Sequence, residues 1–430
     1  MPDYFSETLK KFNAGVLVTL AFVIPFGGIA SSILILLLAL SWMIELIRFR
    51  NMNFRNLLSP VAITLILFYA MHLVGVMYSA NSGKAVFDLQ VKVSILFLPL
   101  FFYTSSHIQT SISRKIVLSF ILGCIAASVV CLIHSYLNYT EEVQNKINIY
   151  SWALIGTNYF FSSRFSIFIH PSYFALYVCL ALSGVYSLIN HNSIRSVSFG
   201  LLIIFFLSLV VVLLASRAGL ICLVLLILIL IIHFNFRIRK PVVSLLFLGL
   251  LCGSFGVVYL KTPEFRQKMK NLNQSVLRNH SSSGKSEARR YIWKEAAILG
   301  SEHFLTGVGT GDVKDELARK FLSSGHPELS EKKFNAHNQF LQSFVALGMF
   351  GISFLTLFFI QSLLKAVRKQ DILFMSFILL TGINFLFESM LETQSGVIFF
   401  AFFASVLSYP GYSSNLISGK FPSSPIKSEN

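Results

Sequence analysis

The sequence predicts an all-α, polytopic membrane protein of about twelve transmembrane helices, with one large helical loop outside the cytoplasm. Three observations carry that reading. Hydrophobic residues fill 55% of the 430 positions and charged residues only 13%, with a mean hydropathy of +0.70, whereas soluble domains are roughly 25% charged. Runs such as "SVSFGLLIIFFLSLVVVLLAS", ending at Ser216, and "PVVSLLFLGLLCGSFGVVYL", ending at Leu260, each reach the roughly 20 residues a helix needs to cross a bilayer. Much of the Lys and Arg excess lies in short loops between such runs, the positive-inside signature of cytoplasmic loops.

Each element follows in order. The first span, centred near Leu20, comes after Lys10 and Lys11, and a second through Ile33 to Leu46 follows at once, so the pair reads as a retained hairpin and not a signal peptide. "RFRNMNFR" from Arg48 marks a cytoplasmic loop. Spans three and four centre near Leu67 and Leu98, the fourth on a short apolar run, and span five near Leu122 follows the loop at Arg114. The stretch from about Tyr136 to Ile169 lies outside. Spans six and seven, near Val178 and Ser208, flank Arg195; spans eight and nine, near Leu226 and Leu248, flank "RIRK" at Arg237. A second long outer segment runs from Lys261 to His337. Spans near Phe354, Leu379 and Phe402 then close the chain, the first two separated by "KAVRK" at Lys365. The organisation is therefore spans one to nine over 1–260, the outer loop over 261–337, spans ten to twelve over 338–410 and a cytoplasmic tail over 411–430.

The formal net charge of +16 does not point to nucleic acid, because no basic surface is contiguous with stacking aromatics. All five cysteines (Cys124, Cys131, Cys179, Cys222 and Cys252) fall in apolar segments, so neither a disulfide framework nor a zinc site is indicated. The outer loops contain no Asp-x-Asp motif and no metal-ligand cluster, and no cofactor is expected. Segment 261–337 holds 14 Lys and Arg against 9 Asp and Glu, a net of +5. Positive-inside bias predicts no such enrichment on the outer face, so a cationic loop there invites an anionic ligand.

Within that loop "EARRYIWKEAAILGSEHFLTGVGTGD" reads as a helix over 287–299, with Ser283 or Ser286 as its N-cap and Gly300 beyond its last apolar residue. Helical spacing puts Arg289 with Ile292, Trp293 and Ala296, and Arg290 with Glu287 and Lys294 on the polar side. A guanidinium aimed at an apolar surface requires an anion, either an internal carboxylate or a ligand phosphate that its planar fork suits. "TGVGTGD" has no preceding strand and is no dinucleotide loop; it reads as a turn in which Gly307, Gly309 and Gly311 allow φ > 0 and Asp312 caps "VKDELARKFL".

Further groups reach the same membrane face. "SRAGL" puts Arg217 at the outer end of span seven, either snorkelling or offering a second phosphate contact. "NAHNQFLQSFVALGMFG" opens span ten with His337 at its mouth, followed by Asn338; neutral imidazole can accept a proton near pH 7. "SSRFSIFIHPS" brings Arg164 and His170 to the start of span six, and "FESMLETQSG" brings Glu388 and Glu392 between the last two spans, where helix-end anchoring explains each.

In sequence order, "SRAGL" after a long apolar run, an Arg four residues before Trp in "RRYIW", "LTGVGTGD" closing a loop and "HNQFLQSFVALGMFG" opening the next span resemble the O-antigen ligase and polymerase superfamily of bacterial membrane glycosyltransferases. The resemblance, nearest to the ligases, implies a multi-pass protein of the bacterial inner membrane with a periplasmic loop and an active site facing the periplasm. It implies transfer of a glycan from undecaprenyl diphosphate to the lipid A-core oligosaccharide in lipopolysaccharide biosynthesis, with His337, Arg217 and Arg289 as the essential residues. Arg290, Arg164, His170, Asn338 and Trp293 are expected around the substrate. The expected partners are the lipid-linked donor, the lipid A-core acceptor and membrane lipid. An O-antigen or capsule polymerase is the nearest alternative, with the same donor and a second lipid-linked glycan as acceptor. A transporter or flippase is more remote, since its binding charges ordinarily sit near the bilayer midplane.

Overall fold

The computed structural model describes residues 2–48, 54–106, 112–148, 159–190, 193–233 and 284–412, with a few isolated positions between them. Among the described residues the fold is all-α. Eleven of the twelve expected spans are present: α1 (Pro2–Val23), α2 (Gly28–Arg48), α3 (Pro60–Met77), α4 (Ser82–Thr104), α5 (Ile112–Asn148), α6 (Pro171–Leu188), α7 (Ile194–Leu214), α8 (Arg217–His233), and, after the loop, α12 (Gln339–Lys369), α13 (Ile372–Phe387) and α14 (Gln394–Ser408). Eight are long and apolar enough to cross a membrane unaided, and α8, α13 and α14 are shorter apolar helices. The ninth span near Leu248, the loop at Arg239, the stretch 261–283 with Ser283, and the tail after 412 lie outside the described residues. Between them the outer loop contributes three helices, α9 (Gly284–Glu302), α10 (Val313–Ser323) and α11 (Pro327–Glu331).

Span four differs from its expectation as a short element: α4 has 23 residues. Its outer half carries Lys84, Asp88 and Lys92 one turn apart, which breaks the apolar run in sequence. In the fold Lys84 pairs with Asp88 and Lys92 with Glu392, so the helix continues through them.

The packing is that of a membrane bundle, where close contact replaces the hydrophobic driving force. Tyr177 of α6 stacks on Phe399 of α14 with ring centroids 4.1 Å apart. Cys124, Cys131, Cys179 and Cys222 are free and buried, while Cys252 lies outside the described residues. Helix α9 is longer than the 287–299 expected and runs through Gly300 to Glu302, with Ser286 inside it. Gly300 is not a stop. It is the point where α9 meets α12, and a Cβ there would come within 2.4 Å of the Phe344 ring.

Helix α12 bends at Gly348, whose φ of 63° and ψ of −150° are non-helical. The bend strands backbone groups, and the glycine-rich turn satisfies them. Val308 N–H donates to Val345 O (2.8 Å), Gly309 N–H to Ala346 O (3.0 Å), and Met349 N–H to Phe304 O (2.7 Å). Gly307 and Gly309 have positive φ as expected, at 70° and 106°. Gly311 does not; it is required because its Cα lies against the start of α4, where a Cβ would stand 2.5 Å from Asn81 O. Asp312 also departs from expectation. It occupies the N-cap of α10 without a side-chain cap bond, and its carboxylate accepts instead from Ala80 N–H (2.7 Å) and Asn81 N–H (2.8 Å). The turn thus locks the outer loop onto the α3–α4 corner and the α12 bend together.

Candidate active site

At one end of the bundle, where α6, α8 and α12 begin and α13 ends, a cavity of about 470 Å³ opens, lined among others by His170, Arg217, Arg289, His337 and Glu388. Each arrives by a local device. Helix α7 ends at Leu214 with Ala215 in the left-handed region (φ 46°), and the chain turns back so that Arg217 is the first residue of α8 and not the last of span seven. His170 caps α6, its Nδ1 accepting from Ser172 N–H at 3.4 Å ahead of Pro171. The amphipathic face of α9 directs Arg289 and Ile292 into the cavity, as the helical spacing requires. His337 precedes α12 and is itself left-handed, with φ 46°. Ser162 (φ 60°) lines the same cavity, so three of its wall residues hold a backbone conformation costly for non-glycine residues.

Glu388, the residue that ends α13, organises the centre. Its Oε1 receives Arg289 Nη2 at 3.3 Å and Ser172 Oγ at 3.2 Å, and its Oε2 faces His337 Nδ1 at 3.7 Å. A hydroxyl chain continues outward: Ser216 Oγ donates to Ser172 Oγ at 2.9 Å and accepts from Gly219 N–H at 3.2 Å. Asn384 Nδ2 fixes Ser172 O at 3.3 Å. The carboxylate is therefore buried but well supplied with donors. Burial alone would raise its pKa; the neighbouring His337 and the charges of His170 and Arg289 outweigh that, and it lies below the usual glutamate range. Burial lowers the His170 imidazole below the ordinary histidine value, with His337 and Arg289 adding to the effect and Glu388 opposing it.

The electrostatics favour an anionic guest. Arg289 is partly engaged by Glu388, whereas Arg217 makes no ion pair among the described residues. The N-termini of α6 and α8 open on the same space and add partial positive charge. With Nδ1 turned to Glu388, His337 has Nε2 left for a proton from a bound hydroxyl. Two guanidiniums, one oriented imidazole and a buried carboxylate behind it can hold a phosphorylated leaving group and deprotonate a nucleophile.

Of the residues expected around the substrate, His170 lines the cavity and the others do not. Arg290 is exposed on the outer side of α9. Arg164 is exposed beside the lining pair Ser162 and Ser163. Asn338 is buried and caps α12, accepting from Phe340 N–H (2.9 Å) and Leu341 N–H (3.1 Å). Trp293 packs on the core, and its buried indole Nε1 has no hydrogen-bond partner among the described residues. Sequence reasoning left Glu388 without a role and passed over Ser172 and Ser216. The available signal was an acidic residue closing an apolar span on the face that holds Arg217 and His337.

Residues 202–356 match the O-antigen ligase family model. That stretch contains Arg217, Arg289 and His337, which the fold brings to one cavity. It covers less than half of the chain and leaves His170, Ser172 and Glu388 outside, where only the fold connects them to the others. The match supports a membrane glycosyltransferase of the ligase or polymerase type. A comparison with curated proteins gave no match.

Proposed function

We propose that this protein is an O-antigen ligase that transfers a glycan from undecaprenyl diphosphate to the lipid A-core oligosaccharide, on the periplasmic face of the bacterial inner membrane, by metal-independent inverting transfer. The observation that carries the reading is the meeting of Arg217, Arg289, His337 and Glu388 in one cavity at the outer helix ends. In the reaction, an acceptor hydroxyl gives its proton to His337 Nε2 while its oxygen attacks the anomeric carbon. The bond from that carbon to the diphosphate oxygen breaks, and the electron pair leaves with the diphosphate, whose charge Arg217 and Arg289 neutralise. Attack opposite the leaving group inverts the anomeric centre. Glu388 holds the imidazole and stabilises it once protonated. Among the described residues no group of three or more His, Cys, Asp or Glu stands ready to hold a metal ion.

The test is transfer by purified protein supplied with undecaprenyl diphosphate glycan and either lipid A-core or further lipid-linked glycan, with and without EDTA. The reading predicts a lipid A-core product that survives the chelator. Lengthening of the lipid-linked glycan without a lipid A-core product makes the protein a polymerase, and chelator-sensitive transfer restored by a divalent ion rejects the metal-free chemistry.

A further inference from the structure

A buried ion pair stands outside the cavity and outside the chemistry above. Lys92, 1% exposed in the outer half of α4, places its Nζ 3.1 Å from Oε1 and 3.2 Å from Oε2 of Glu392. Neither residue lines the cavity. An ammonium at this depth in a spanning helix is costly to insert, and a buried pair is commonly no more stabilising than apolar side chains of the same volume. Stability is therefore a weak reason for keeping it.

Its position supplies a stronger one. Glu392 lies in the turn that joins α13 to α14 and begins at Glu388, the carboxylate facing His337. Within the turn Glu392 N–H reaches Ser389 O at 3.2 Å, Thr393 N–H reaches Met390 O at 3.3 Å and Thr393 Oγ1 donates to Met390 O at 3.1 Å. Besides the bonds of Glu388 to Ser172 and Arg289, it is tied to the bundle at two further points among the described residues. Leu391 N–H donates to Gln339 Oε1 at 2.7 Å, and Gln339 is a 1% exposed residue two positions after His337. The other tie is Glu392 to Lys92. One fixes the turn to the helix that presents His337; the other fixes it to α4, which Asp312 also clamps.

We propose that Lys92, acting through Glu392, is a positioning residue that holds the 388–393 turn in place and thereby keeps the Glu388 carboxylate against His337. The catalytic consequence rests on the ligase reading; the structural consequence does not. Asp88 and Lys84, one and two turns outward from Lys92 on α4, pair with each other and leave Lys92 to Glu392.

The test uses the full-length protein in lipid nanodiscs. Lys92→Met/Glu392→Met removes both charges at similar volume, so no unpaired charge is left to prevent folding. The proposal predicts a kcat for transfer about tenfold lower with the donor KM within about twofold of wild type. It also predicts faster hydrogen exchange in the peptide spanning 388–393, with the other spans unchanged, and near-wild-type behaviour for the conservative Lys92→Arg. Unchanged kcat and unchanged exchange in the double variant overturn it, as does a fall in kcat without faster exchange of the turn. If wild type transfers no glycan, the ligase reading fails on its own, and the exchange measurement alone decides the positioning role: an unchanged turn overturns it.

Discussion

Arg217 and Arg289 are chemically alike but differently placed. Arg289 shares its charge with Glu388 at 3.3 Å, and Arg217 makes no ion pair among the described residues. Replacing either with Ala is expected to lower transfer about 100-fold or more while the protein still accumulates in membranes, a cost comparable to losing one donor to a developing anion. Lys should restore only part, because it keeps the charge and loses the fork. Arg290→Ala, on the exposed side of α9, is expected to be mild; equal losses at 289 and 290 would contradict the face assignment. Acid sensitivity follows from His170 and Glu388. The folded state holds the pKa of each below its ordinary value, so the unfolded chain binds these protons more readily and stability falls with pH. His170 begins to contribute that loss below 6.5 and Glu388 only below 4.5. Thermal unfolding in detergent from pH 7.5 to 5.5 should show a decline that His170→Asn, which keeps a capping side chain, makes shallower. An identical slope in the variant would remove His170 from the account.

Helices, turns and bends were unequally legible in the sequence. Spanning helices were read from apolar run length alone, and the face of α9 from its spacing, because both are local properties. The shape of the glycine-rich turn was only half legible: "TGVGTGD" announced a turn, but nothing local says that its amides satisfy carbonyls freed at Gly348, or that Asp312 receives the far-off amides of Ala80 and Asn81 just ahead of α4. Glu388 was hidden for the same reason, since its partners Ser172, Arg289 and His337 are brought to it only by the packed bundle. The turn is nonetheless a hinge of the design. Asp312→Ala should cost about 1–3 kcal/mol, the range for leaving buried donors without a partner, measured as a lower unfolding midpoint together with faster proteolysis of the loop that carries it. A midpoint equal to wild type would mean that the loop is held by other contacts.

Among the described residues the cavity gathers the starts of α6, α8 and α12 and the end of α13, whereas Arg195 and Arg368 stand at the start of α7 and the end of α12. A cysteine at Ser323, exposed on α10, should react with an impermeant thiol reagent in cells with a permeabilised outer membrane, and one at Arg368 should not. The reverse pattern would invert the topology and the site with it. In the turn between the short helices α13 and α14, Glu392 meets Lys92 within α4, and Glu388 at the start of that turn lines the cavity. The central claim is a division of labour in which the arginines hold the diphosphate and His337 acts on the acceptor. Donor binding and transfer, measured side by side on the same purified variants, test it most directly. The account predicts that His337→Ala binds undecaprenyl diphosphate glycan like wild type yet forms no lipid A-core product, while Arg217→Ala and Arg289→Ala lose donor binding; transfer at the wild-type rate by His337→Ala, or undiminished donor binding by both arginine variants, would contradict it.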